Sequence, residues 1–109
     1  MATVYKVLGQ SNPSATTATT LYTVPSLTAT VVSTITVANL GGSSATYRIS
    51  VRPAAATQTN AMYIAYDVTV GANDTTTLTL GITLATTDVI TVYASTATVA
   101  FNAYGSEIA

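Results

Sequence analysis

The sequence predicts an all-β fold, a single β-sandwich of about eight antiparallel strands of immunoglobulin-like or jelly-roll type. Three observations carry this expectation. Thr, Val, Ile and Tyr dominate the chain, while the usual helix formers other than Ala are scarce. In the clearest segments apolar residues alternate with polar ones at period two. Turn signals rich in Gly, Ser, Asn and Pro recur at short intervals, and no segment shows helical periodicity.

Residues 3–8, 21–24 and 29–38 read as the first three strands, with Pro25 closing the second because proline cannot donate to a ladder. Leu40-Gly41-Gly42-Ser43-Ser44 is a hairpin-type break. The next strand, Thr46-Tyr47-Arg48-Ile49-Ser50-Val51-Arg52, is the clearest. Tyr47, Ile49 and Val51 share one face and both arginines take the other. Pro53 ends it. Residues 62–70 repeat the rule, with Met62, Ile64, Tyr66, Val68 and Val70 on one apolar face. Tyr47 and Tyr66 are therefore expected in the core, and Tyr63 and Tyr104 outside. Gly71-Ala72-Asn73-Asp74 is a second turn, followed by strands at 75–80, 88–94 and 96–104. Residues 9–20 and 53–61 are long for connections, and such segments are usually functional or mobile. The Thr/Ala bias runs through the whole chain, so residues 1–109 are read as one domain.

Charge is the compositional anomaly. The chain is 49% hydrophobic, which favours a folded core, but only 6% charged, with a net charge of −1. Three basic residues cannot neutralise a row of phosphates, so no nucleic-acid partner is expected. No basic amphipathic stretch and no long apolar run is present, so no membrane partner is expected either. Residues 1–6 lack the basic start and apolar stretch of a signal peptide, so no secretory route is expected. A neutral surface is poorly protected against self-association, which points to a homo-oligomer or a covered surface.

The residues also restrict the chemistry. The chain has no His and no Cys, which excludes Ser-His and Cys-His nucleophiles and zinc sites built on those ligands. Asp67 is expected to form a surface ion pair with Arg48 or Arg52. Asp74 and Asp88 have turn and cap positions, and their spacing does not resemble a calcium loop. No phosphate-binding glycine motif occurs. No catalytic residue, cofactor or metal site is assigned, and an enzyme is not expected. Outward tyrosines leave a sugar-binding platform open as a reading.

Several segments carry a wider pattern. It opens with Lys6-Val7-Leu8-Gly9-Gln10 and Leu21-Tyr22-Thr23-Val24-Pro25. Val31-Val32-Ser33-Thr34-Ile35-Thr36-Val37-Ala38-Asn39 and Ala45-Thr46-Tyr47-Arg48-Ile49-Ser50-Val51-Arg52-Pro53 follow. Tyr63-Ile64-Ala65-Tyr66-Asp67, Gly81-Ile82-Thr83-Leu84-Ala85 and Thr87-Asp88-Val89-Ile90-Thr91-Val92-Tyr93-Ala94-Ser95 continue it. Phe101-Asn102-Ala103-Tyr104-Gly105-Ser106-Glu107-Ile108 completes it. Over nearly the whole chain this resembles a family of short virion structural proteins of tailed bacteriophages, including phages of cyanobacteria and marine bacteria. The resemblance implies a structural subunit with no catalytic residues, placed on the head as a decoration or cement protein, or in the tail, baseplate or fibres. It also implies assembly in the host cytoplasm and release by lysis.

Two functional expectations follow. The first is a virion subunit that binds copies of itself and other virion proteins. Its contact candidates are Tyr22, Pro25, Arg48, Arg52, Tyr63, Tyr104, Glu107 and Ile108. The second is a receptor- or glycan-binding module at a fibre tip, for which outward Tyr and Asn on loops are the distinguishing feature.

Overall fold

The computed structural model describes residues 2–109, and the alternation of the sequence becomes two four-stranded antiparallel sheets. The strands are β1 (Thr3–Ser11), β2 (Thr19–Thr23), β3 (Ala29–Asn39), β4 (Ala45–Arg52), β5 (Tyr63–Val70), β6 (Thr75–Leu84), β7 (Val89–Ala94) and β8 (Val99–Ile108). The first sheet has the order β1-β8-β3-β6 and the second β2-β7-β4-β5. Each early strand pairs with its mirror partner: β1 with β8, β2 with β7, β3 with β6, β4 with β5. A long hairpin rolled around its own core gives this nesting. It is the jelly roll, and it differs from immunoglobulin strand order.

Side chains from both inner faces form one core. Val32, Ile35 and Val37 of β3, Tyr47 and Ile49 of β4, Ile90 and Val92 of β7, and Phe101 of β8 are all buried. Tyr47 and Phe101 meet edge to face between the sheets, with centroids 6.1 Å apart and planes at 75°. Such a pair contributes roughly 0.5–1.5 kcal/mol beyond its buried area.

Bulges alter the simple period. Val32 and Ile35 both point inward, although three positions apart, because the register slips around Ser33. In β5 the slip between the Tyr47–Val68 and Ile49–Ala65 pairs has a larger effect. Asp67 there takes a left-handed φ of 51°. The extra residue breaks the proposed apolar face. Ile64 and Tyr66 turn outward, exposed at 46% and 55%, and Ala65 packs against the core instead. Val68, opposite inward Tyr47, stays on the core side but is 39% exposed at the sheet edge. Tyr66 is therefore not a core residue; Tyr47 is.

Boundaries shift for related reasons. β6 continues through Gly81, whose φ of 63° absorbs a bulge that reads as a strand end in sequence. β8 begins at Val99, after a turn at 95–98. β1 runs on to Ser11, which shortens the first long connection to residues 12–18. The second long connection holds two short 3-10 turns, Pro53–Ala55 and Asn60–Met62.

At one end of the sandwich, buried Asn39 ties three connections together. Its amide nitrogen donates to the carbonyls of Ser43, Val70 and Gly71. Its oxygen accepts from Gly41 N and Thr98 Oγ1. A buried side-chain amide with all its capacity used specifies geometry as well as stability.

Candidate binding surface

The outer face of the second sheet follows from the alternation in β4. Tyr47 and Ile49 point inward, so Arg48, Ser50 and Arg52 stand in an outward row. Across the ladder, Arg48 lies opposite Tyr93 and Ser50 opposite Thr91. On the other flank, the β5 bulge brings Tyr66 and Asp67 to the same side as Arg48.

These residues are tightly connected. Arg48 Nε donates to Asp67 Oδ1 at 2.7 Å, and Nη2 reaches Oδ2 at 3.4 Å. The guanidinium lies between two phenol rings, 4.3 Å from the centroid of Tyr66 and 4.4 Å from that of Tyr93. The hydrogen bond to Asp67 pushes the Arg48 pKa above its ordinary value. Tyr66 in turn packs edge-on against Tyr63, with centroids 4.8 Å apart. A planar cation held between aromatic faces and a carboxylate is rigid at little entropic cost.

The 53–62 connection folds back over this row. Ser50 Oγ donates to Gln58 Oε1 at 2.6 Å, and Arg52 Nη1 reaches Ala56 O at 3.4 Å. Between the connection and the sheet lies a half-enclosed pocket of about 110 Å³, whose walls include Arg48, Arg52, Gln58, Tyr63, Thr91 and Tyr93. Ala18, from the other long connection, borders it too. Two buried atoms of this wall, Arg52 Nε and Thr91 Oγ1, have no hydrogen-bond partner. An open hollow of about 330 Å³ adjoins the pocket and is lined by Asn60, Tyr63 and Tyr66.

The contact candidates thus divide. Arg48, Arg52 and Tyr63 are brought together on one face. Tyr104 lies on the outer face of the first sheet, where it walls an open groove of about 550 Å³ with Tyr5, Val7 and Ser33. Pro25 is exposed in the β2–β3 connection. Ile108 is partly covered at the end of β8, between Thr3 and Ala29. Tyr22 is not a surface residue. It is buried, and its hydroxyl bonds internally to Glu107 Oε2 at 2.5 Å and Thr30 Oγ1 at 2.8 Å. Glu107 also takes Lys6 Nζ at 3.3 Å, so it too serves the fold.

All four carboxylates hold structural partners. Asp67 pairs with Arg48, one of the two arginines expected for it, and Glu107 with Lys6 and Tyr22. Asp74 accepts from Thr75 N at 2.8 Å. Asp88 accepts from Ala54 N and Ala85 N, both at 2.9 Å. The turn and cap roles read from the sequence are present. Among the described residues no three His, Cys, Asp or Glu side chains gather as a metal site would require.

Sequence reasoning missed Tyr66, Tyr93, Thr91, Gln58 and Asn60 on this face. Tyr93 and Thr91 were within reach, since they alternate with the inward Ile90, Val92 and Ala94. Tyr66 was not, because its position depends on the bulge. Comparison with protein-family models, curated proteins and solved structures finds no match to this chain.

Proposed function

We propose that this protein is a non-enzymatic structural subunit of a tailed-phage virion, acting by assembly with copies of itself and with other virion proteins. One observation carries the reading. Most of the exposed large apolar side chains lie on edge strands: Val4, Tyr5 and Val7 on β1, Ile64, Tyr66 and Val68 on β5, and Leu80 on β6.

Edge strands offer unpaired backbone groups to any passing chain, and stable monomers guard them with charge, proline or cover. Here free charge and proline are absent from the three edge strands that carry these side chains. β6 has no charged residue and no proline along its ten positions. The charged residues of β1 and β5, Lys6 and Asp67, are each engaged by a partner within the fold. A neutral edge of this kind is desolvated at little electrostatic cost and suits coverage by a neighbour. The resemblance along the chain to short phage virion proteins supports the particle as the place where that coverage occurs, on the head or in the tail. Cytoplasmic production and release by lysis follow from the same reading.

Mass spectrometry of purified particles that carry this gene product is the direct test. Stoichiometric amounts are expected, and absence from the particle ends the proposal. Light scattering on the isolated protein should detect self-association that a charged edge substitution, Leu80→Lys, reduces.

A further inference from the structure

The pocket over β4 and β7 has features that edge-strand assembly does not require. It is lined by two of the chain's three basic residues and by no carboxylate. Lys6 pairs with Glu107 and Arg48 with Asp67, whereas Arg52 has no acidic partner among the described residues. Arg52 is held only by a long contact from Nη1 to Ala56 O, at 3.4 Å. Its Nε, one of the two N–H groups on the edge that grips an oxyanion in parallel, has no partner. Thr91 Oγ1, on the same wall, is buried and unpartnered as well. Buried polar atoms are almost always satisfied by protein, water or ligand, so two free donors on one pocket wall suit a polar guest.

Shape narrows the choice of that group. The inner pocket, about 110 Å³, accommodates one small anionic group. Tyr63 is the wall it shares with the larger, open hollow. The Tyr63 ring is braced edge-on by Tyr66, and Tyr66 is stacked on Arg48, so the aromatic wall is stiff. An aromatic wall of this size suits the C–H face of a pyranose ring. Asn60, whose side chain makes no hydrogen bond among the described residues, stands in the hollow where ring hydroxyls would lie.

We infer that this pocket is a subsite for an acidic sugar, its carboxylate beside Arg52 and Thr91 and its ring against Tyr63. The Arg52 head turns off Ala56 O to take the carboxylate, a side-chain adjustment of a common kind on binding. The Thr91 hydroxyl donates to a carboxylate oxygen. The inference goes beyond the assembly reading and does not depend on it, since that reading rests on the edge strands.

The test is an NMR titration of the full chain with a glucuronate-containing disaccharide, with the uncharged glucose disaccharide, acetate and inorganic phosphate run in parallel. The uronate disaccharide should shift amide signals of β4, β7 and residues 53–62. Its affinity should exceed that of the neutral sugar and of acetate by tenfold or more, and should drop roughly tenfold to a hundredfold in Arg52→Gln. Thr91→Val, which keeps the side-chain shape, serves as a second variant and should weaken binding severalfold. Silence of this face toward the uronate, or unchanged affinity in both variants, overturns the assignment. Equal binding of acetate or phosphate overturns the sugar and leaves a plain anion site.

Discussion

The Tyr22 hydroxyl donates to Glu107 Oε2 at 2.5 Å, joining β2 of one sheet to β8 of the other. Burial, reinforced by the bond to Glu107, pushes the Tyr22 phenol from 10.0 to about 12. The same bond, helped by Lys6, holds the Glu107 carboxyl below its ordinary value. The two groups limit stability on opposite sides. Glu107 stabilises the fold fully above the unfolded carboxyl's value of 4.5, and this is lost as pH falls through its lower folded value. Tyr22 stabilises it fully below 10.0, and this is lost as pH rises towards about 12. Thermal unfolding followed across pH should show both limbs. Tyr22→Phe should weaken both and cost about 1.5–3 kcal/mol near neutrality, the range for a hydrogen bond to a charged group.

Asn39→Ala removes the amide that joins three connections and leaves Gly41 N and Thr98 Oγ1 without their acceptor. Denaturant unfolding should report a loss of about 3 kcal/mol. Asn39→Asp should be worse at neutral pH, because a carboxylate would face the carbonyls of Ser43, Val70 and Gly71. It should recover in part on acidification, when the protonated acid can donate again. A pH-independent loss in the Asp variant would contradict this account.

Gly105 faces the Val31 carbonyl so closely that a Cβ would overlap its oxygen and crowd Val32. Gly105→Ala should therefore force β8 away from β3 and destabilise by about 2–4 kcal/mol, as overpacking against rigid backbone does. Gly42 has nothing within 4 Å of the same position. Gly42→Ala is the matched control and should stay within about 0.5 kcal/mol of the parent. Equal effects would mean the close strand approach is not real.

Asp67 combines a left-handed φ of 51° with the ion pair to Arg48. Asp67→Gly keeps the backbone geometry available and loses the pair, while Asp67→Ala loses both. The alanine variant should be less stable than the glycine variant by roughly 1 kcal/mol, despite alanine's usual advantage elsewhere in strands. Both should loosen Tyr66 and Tyr93 around Arg48, which tyrosine fluorescence or ring chemical shifts can follow.

The sandwich was legible because period-two alternation is local. Tyr47, Ile49 and Val51 against Arg48, Ser50 and Arg52 needed no long-range information. The same rule failed over 62–70, where one extra residue at the bulge turned Ile64 and Tyr66 to the outer face, while Val68, opposite inward Tyr47, kept its side and is exposed only at the sheet edge. A bulge is set by the partner strand, so composition does not announce it. Gly81 misled in the opposite direction, since a glycine that bends a strand looks like one that ends it. Jelly-roll order was one of two topologies that the segments allowed, and strand pairing decided between them. On the candidate face, alternation offered Asp67 either Arg48 or Arg52 as a partner, and the strand register selects Arg48. The pocket beside them was not visible, because it requires the 53–62 connection to fold back onto Ser50 and Arg52.

The rolled-hairpin pairing also governs how the protein can form. Thr3 lies opposite Ile108, and β1 has no neighbour in its sheet except β8. Of the eight strands β1 is made before the others, and it must wait unpaired until β8 arrives. Only β4 and β5 are paired neighbours in sequence, so they can meet early across the 53–62 connection, and the rest must close outward from that hairpin. Folding should accordingly be slow for so small a protein, as non-local topologies are, and a nascent chain stalled before β8 should be prone to clump through β1.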